Sequence, residues 1–296
     1  MLVLNKFLLA WLIFIWTLPG IKHDMTLSLG ERFFNSENYY DAITEYKRYI
    51  FFNSEKKDNS ISNAYYKTGL AYFHLGKSDK AINELRKSIQ TANTVRMRDE
   101  RKIDLAIVLI ASGNYGAAEF ILIKVEMFSQ LPELKKEAAY FRGVASLYSY
   151  NWERADEAFH IYFDDLEEKS QGMPIKLESM LNKAQNLKYK SPKLAKILST
   201  IIPGSGQIYA GDWRNGINAL LLNSATGYYF VDDILQSQYQ DAILNYLFLF
   251  GRFYRGNRFH AGEAAKKYNE KLNQNLISHI LKTLLGELDN ENNKNN

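Results

Sequence analysis

The side chains able to do acid–base or metal chemistry in this 296-residue chain are five histidines and a scatter of carboxylates; there is no cysteine. His23, His74, His160, His260 and His279 share no ligand spacing, and no His-Glu-x-x-His run puts two imidazoles on one helix face. His160 and Asp164 stand four apart, a spacing suited to surface pairing rather than to proton transfer. The doublets Asp164-Asp165, Glu167-Glu168 and Asp232-Asp233 read as solvated helix ends. No Gly-x-Ser-x-Gly elbow occurs. Without cysteine there is no disulfide, thiolate metal site, thiol nucleophile or lipid-bearing thiol. The sequence therefore predicts no catalytic residues, no metal and no cofactor.

One stretch could still hold a phosphate. "IIPGSGQIYAGDWRNG", 201–216, packs four glycines and a proline into an otherwise helix-forming chain. A phosphate loop needs a strand, a glycine turn and a helix whose N-terminus faces the anion, usually with Lys-Ser/Thr. Here the preceding segment is helical: Ser191-Pro192 is a helix start, a cap followed by proline in the first turn. The spacing of Gly204, Gly206 and Gly211 matches neither the mononucleotide nor the dinucleotide pattern. The expectation is instead that these glycines permit a tight turn and close approach of helices.

Two apolar stretches follow, 216–231 and 242–254, joined by the acidic connector "DDILQSQYQD". Each is shorter than the ~20 residues that span a bilayer, and both carry asparagine. Pro203, Gly204, Gly206, Gln207, Tyr209 and Gly211, with Trp213 and Gly216 and two apolar helices behind them, resemble the bacterial two-transmembrane-segment domain family over about 191–265. The resemblance implies a hydrophobic helical hairpin in or on a membrane and no known chemistry.

The elements before this region repeat. A small residue, a large one three later and an alanine twelve later recur as Gly30/Phe33/Ala42, Gly69/Tyr72/Ala81, Ala106/Leu109/Ala118 and Gly143/Ser146/Ala155. Tyr46, Leu85, Leu122 and Phe159 follow each alanine by four. Turn signals at 35–40, 75–80, 112–117 and 149–154 divide each unit into two helices. Small residues let the two helices cross closely, and the large residues fill the space beside the crossing. This pattern resembles the tetratricopeptide repeat over roughly 23–169, with "AYYKTGLAYFHLGKSDKAINELRKSI" the best copy. Missing repeat-end prolines, Ser146 at an aromatic position and short insertions depart from the family. The resemblance implies an all-α solenoid whose first helices line a concave protein-binding groove. The family's groove positions map onto Leu27 and Phe34, then Tyr66, Leu70 and Phe73, then Ile103, Ile107 and Ile110, then Tyr140, Val144 and Leu147. That lining is mostly apolar and suits an apolar or helical protein segment; it lacks the basic clamp that a carboxylate terminus needs.

The chain begins with Lys6, an apolar run from Phe7 to Leu18 and the breakers Pro19-Gly20, which reads as a signal peptide or anchor over 1–22. The organisation expected after it is an array of about four helix pairs (23–170), a basic connecting segment (171–190), the glycine-containing hairpin region (191–265), an amphipathic helix (266–288) and a disordered tail (289–296). The amphipathic helix has Leu272, Leu276, Ile277, Ile280, Leu281, Leu284, Leu285 and Leu288 at helical spacing. A net charge of +4 with no basic cluster argues against nucleic acid as partner. The function expected is a non-enzymatic scaffold of a bacterial cell envelope, periplasmic and membrane-associated, binding a protein through the array. Two alternatives stay open: an enzyme with a site between array and hairpin, and an adaptor tethered to the cytoplasmic face. The second is favoured by the lysines before the hairpin and Arg252, Arg255 and Arg258 after it.

Overall fold

The structure, a computed structural model, describes residues 22–55, 58–164 and 172–294. The signal-like segment 1–22, except its last residue, lies outside the described residues. The chain divides into two compact units, Met1–Pro174 and Ile175–Asn296. Among the described residues both are helical and neither contains a strand.

Turn chemistry sets the first unit. Glu37, Gly76, Gly113 and Tyr150 all have positive φ, at 61°, 69°, 78° and 59°. Behind each, a backbone N–H closes the preceding helix onto a carbonyl five residues earlier: Asn38 on Phe33, Lys77 on Tyr72, Asn114 on Leu109 and Asn151 on Ser146. Such closures satisfy the orphan carbonyls of a helix end and reverse the chain within three residues. They join α1 (Lys22–Asn35) to α2 (Tyr39–Phe52), α3 (Asn59–His74) to α4 (Ser78–Thr91), α5 (Val95–Ala111) to α6 (Tyr115–Phe128), and α7 (Pro132–Tyr148) to α8 (Trp152–Phe163). Between pairs, Asp58 accepts from Ser60 N, Thr94 from Met97 N, and Pro132 opens α7.

Inside each pair the small residues do what their spacing implies. A Cβ on Gly30 would come within 2.8 Å of the Tyr46 ring, one on Gly69 within 2.8 Å of Leu85, and one on Gly143 within 2.7 Å of Phe159. Ala42, Ala81, Ala118 and Ala155 are fully buried. Each pair also bonds to the next. Lys67 reaches Glu31, Arg101 reaches Asn63 and Arg96 reaches Glu133, at 3.3, 2.9 and 2.5 Å, each a displacement of about one repeat. One cluster of buried side chains, from Ile43 to Ala145, runs through these pairs. This is a helical repeat architecture, stabilised between neighbouring units.

Residues 172–185, expected as connecting segment, form a helix, α9 (Gly172–Gln185). Its buried Met173, Leu177, Met180, Leu181 and Ala184 fall at helical spacing. In the second unit α10 (Pro192–Ile201) starts on the Ser191 cap. The short α11 (Ser205–Tyr209) and the long α12 (Trp213–Leu235) follow. After a turn with Ser237 at φ 59°, α13 (Tyr239–Asn245) and a π-helical turn over Tyr246–Phe250 lead into α14 (Gly251–Lys294). The expected boundary near 265 does not exist, because 263–272 is free of proline and glycine and α14 passes straight through it. The backbone of 289–294, expected as a disordered tail, continues the same helix, with no breaker after Gly286 to stop it. Among the described residues no helix is both long and apolar enough to cross a membrane.

Candidate functional site

On the first helices of the array, the positions expected to line a groove are mostly half-buried: Leu27, Phe34, Tyr66, Leu70, Phe73, Ile107, Ile110, Tyr140 and Val144. Ile103 and Leu147 differ. They are 2% and 0% exposed, so they are core side chains that no partner reaches. Phe34 stands edge-on to Tyr39 and His74, whose rings stack on each other at 4.6 Å. His160 pairs with Asp156 at 3.7 Å, one turn before it, and not with Asp164.

The middle of this face is polar, which the apolar reading missed. The Arg101 guanidinium lies 3.4 Å from the Tyr66 ring centroid. It also donates to Asn63 Oδ1 at 2.9 Å and meets Asp104 at 3.3 Å. Burial pushes the Asp104 carboxyl above its usual range, outweighing the attraction of Arg101. Burial, then the Asp104 charge, holds the Tyr66 phenol up at about 12. Glu137 on α7 is raised by burial and by the charges of Asp104 and Glu100. The signal was present in the sequence: the second position of the second, third and fourth units is Asn63, Glu100 and Glu137.

In the second unit the glycine-rich stretch is consumed by the protein itself. Gly204 has φ +89°, and a Cβ there would fall 1.9 Å from Gly216 O. A Cβ on Gly206 would fall 1.9 Å from Ala195 O. Glycine is required at both, because backbone touches backbone. The N–H groups that a phosphate would use are taken: Gly204 N–H donates to Asn257 Oδ1 at 2.9 Å and Gly206 N–H to Ser199 Oγ at 3.0 Å. Gln207 completes the knot, accepting from Ser199 Oγ at 2.8 Å and donating to Asn257 Oδ1 at 3.1 Å, while Asn257 donates to Ser199 O at 2.8 Å. These three side chains are buried. Pro203 follows Ile202 in extended conformation, as the residue before proline prefers. The Tyr209 hydroxyl accepts from Ser191 N–H at 3.1 Å, and Gly211, at φ +85°, ends α11 so that Asp212 can cap α12. The six motif residues thus fix one turn against α10 and α14.

Over 192–265 this unit places polar and small groups inside and large apolar groups outside. One buried apolar cluster beside the glycine turn is made only of alanines, Ala195, Ala210, Ala261 and Ala265, whereas Leu177, Leu181, Ile277, Ile280 and Leu284 are buried in the flanking helices. Asn223, Asn245 and Asn273 are buried as well. Asn269 and Asn273 clamp 189–190 to α14 through three hydrogen bonds of 2.8–2.9 Å. Large apolar side chains face outward instead: Ile201 is 73% exposed, Leu221 62%, Leu235 78% and Phe248 65%. Nearer the tip, Phe230 and Phe250 stack at 5.6 Å between the two arms.

Among the described residues no group of three or more His, Asp or Glu side chains is placed to hold a metal ion. Comparison with family models finds no match for this chain, and comparison with curated proteins finds none either.

Proposed function

We propose that the chain is a non-enzymatic scaffold of a bacterial cell envelope, in which a tetratricopeptide-like array recruits a protein and the C-terminal unit holds it on a membrane. The observation that carries the reading is the inverted side-chain distribution over 192–265 of the second unit. Water-soluble surfaces rarely gather this many large apolar side chains, and such patches mark protein or membrane contacts. Small and polar residues between helices, with leucine and phenylalanine outside, are the arrangement by which helices pack in lipid. Lys193, Lys196, Arg252, Arg255 and Arg258 flank the apolar arms and fit anionic headgroups. Since no described helix is long and apolar enough to cross, the support is for residence in the interface. The signal-like N-terminus favours the periplasmic side; the basic flanks favour the cytoplasmic face as a second reading. Fusion of compartment-specific reporters after residue 170 separates the two.

On the array, Tyr66, Leu70, Ile107 and Val144 offer a half-buried apolar strip for a helical segment of the partner. The raised carboxyls of Asp104 and Glu137 beside it favour a partner that brings a cation. The test has two arms. Full-length protein floats with anionic vesicles, and Leu221→Asp with Phe248→Asp weakens flotation at least tenfold, since each side chain withdrawn from lipid is worth roughly 1.5–3 kcal/mol. Leu70→Ser with Ile107→Ser lowers recovery of crosslinked protein partners about a hundredfold at unchanged thermal stability, by the same burial arithmetic. Undiminished flotation of the first variant removes the membrane half; undiminished crosslinking of a folded second variant removes the groove.

A further inference from the structure

We propose that the groove between α12 and α14 binds a phosphate ester carrying a hydroxyl or amine donor, the chemistry of a glycerophosphate. The groove has a volume of about 640 Å³. One wall is a stripe of α14 bearing Arg252, His260 and Lys267; the other is α12, bearing Asn215, Asn218 and Asn223. Asn223 points to a ligand. It is 4% exposed, and its Nδ2 donates to Ala219 O at 2.7 Å, which fixes the amide. Its Oδ1 is buried with no hydrogen-bond partner. A buried acceptor left unpaired costs about 1–3 kcal/mol, which a donor from a bound molecule recovers.

Charge specifies the rest of that molecule. The groove's acids are already engaged: Asp212 caps α12 and accepts from Asn215 Nδ2 at 2.8 Å, and Glu263 pairs with Lys266 at 2.8 Å. Arg252 and Lys267 line the same cavity and have no ion-pair partner among the described residues, so each is available to a phosphate oxygen beside the Asp212 and Glu263 carboxylates. The arms fix which cation meets the amide. Gly227 faces the Phe250 ring, where an added Cβ would come within 3.2 Å, so Asn223, one turn back, is level with the turn that starts at Arg252. The guanidinium then takes the phosphate oxygens, Asn223 Oδ1 accepts from the neighbouring hydroxyl or amine, and Asn218 lies beside them to hydrogen-bond a second one.

The inference goes beyond the membrane reading, because a soluble ester tests it without a bilayer. Full-length protein in neutral detergent is titrated with glycerol 3-phosphate and with inorganic phosphate, and in parallel presented with vesicles of phosphatidylglycerol or phosphatidylcholine. Glycerol 3-phosphate is expected to bind at least tenfold more tightly than inorganic phosphate if a free ester is the ligand. A preference for phosphatidylglycerol vesicles without soluble binding identifies a lipid headgroup as the source. In either case Asn223→Leu and Arg252→Gln each weaken the interaction about tenfold, while the outward apolar side chains keep both variants on vesicles of high negative charge. Asn223→Leu removes an unpaired acceptor, so its thermal stability should not fall; should it not fold, Arg252→Gln decides alone, since the exposed Arg252 makes no ion pair. Variants that bind as the wild type does, or a wild type indifferent to both probes, overturn the proposal.

Discussion

Asp104 shows how a single side chain on the array reports its surroundings. Its carboxyl is held above the ordinary range chiefly by burial, with Arg101 opposing. A group with a raised folded-state pKa binds its proton more tightly folded than unfolded, so its penalty is absent below the unfolded value and grows as pH rises through the folded value. Asp104 is therefore expected to contribute an upward shift of thermal unfolding on acidification from pH 7 toward the ordinary carboxylate range. Asp104→Asn should lack its share of that shift and be no less stable than wild type at pH 7. A variant with an unchanged pH profile contradicts the account of this site. The polar character of the face was legible at Asn63, Glu100 and Glu137, yet a search for apolar periodicity passes over them. Ile103 and Ile107 are one turn apart and alike in sequence, yet one is core and the other half-buried, a difference set by tertiary packing that local spacing does not encode.

Between elements the repeat was readable because close crossing demands small residues at fixed spacing. Gly143 and Phe159 illustrate the trade: a Cβ at 143 would lie 2.7 Å from the ring. The third unit solves the same crossing with Ala106 and Leu122, both fully buried. Gly143→Ala is therefore expected to destabilise by about 1–3 kcal/mol through overpacking. Adding Phe159→Leu, which copies the third unit's pair, should recover part of that loss as a favourable coupling in a double-mutant cycle measured by denaturant unfolding. Strict additivity would show that the two side chains do not compete for one space. Two elements differ from the expectation. The lysines of 171–190 suggest a connector, but Met173, Leu177 and Leu181 mark the buried face of a helix. The boundary at 265 marks where the resemblance to the hairpin family ends, whereas a helix ends where a breaker or cap stops it, and α14 runs unbroken over Gly251–Lys294. The glycine turn was legible as a turn; the Ser199–Gln207–Asn257 knot was not, because Asn257 meets it from 50 residues away along the chain.

At the scale of the whole molecule the account rests on residues 192–265 of the second unit being built for an apolar surrounding. Asn223 and Gln207 are inside it, and Leu221 and Phe248 are outside. The natural chain has no cysteine, so a single introduced thiol reports one position. The most direct measurement places an environment-sensitive fluorophore at Leu221→Cys and, separately, at Phe248→Cys, with Phe120→Cys on the array as reference. On addition of anionic vesicles the first two probes should shift to the blue and become shielded from an aqueous quencher, while the probe at 120 stays in water. Probes at 221 and 248 that remain quenched and unshifted under those conditions would contradict the membrane role of this unit.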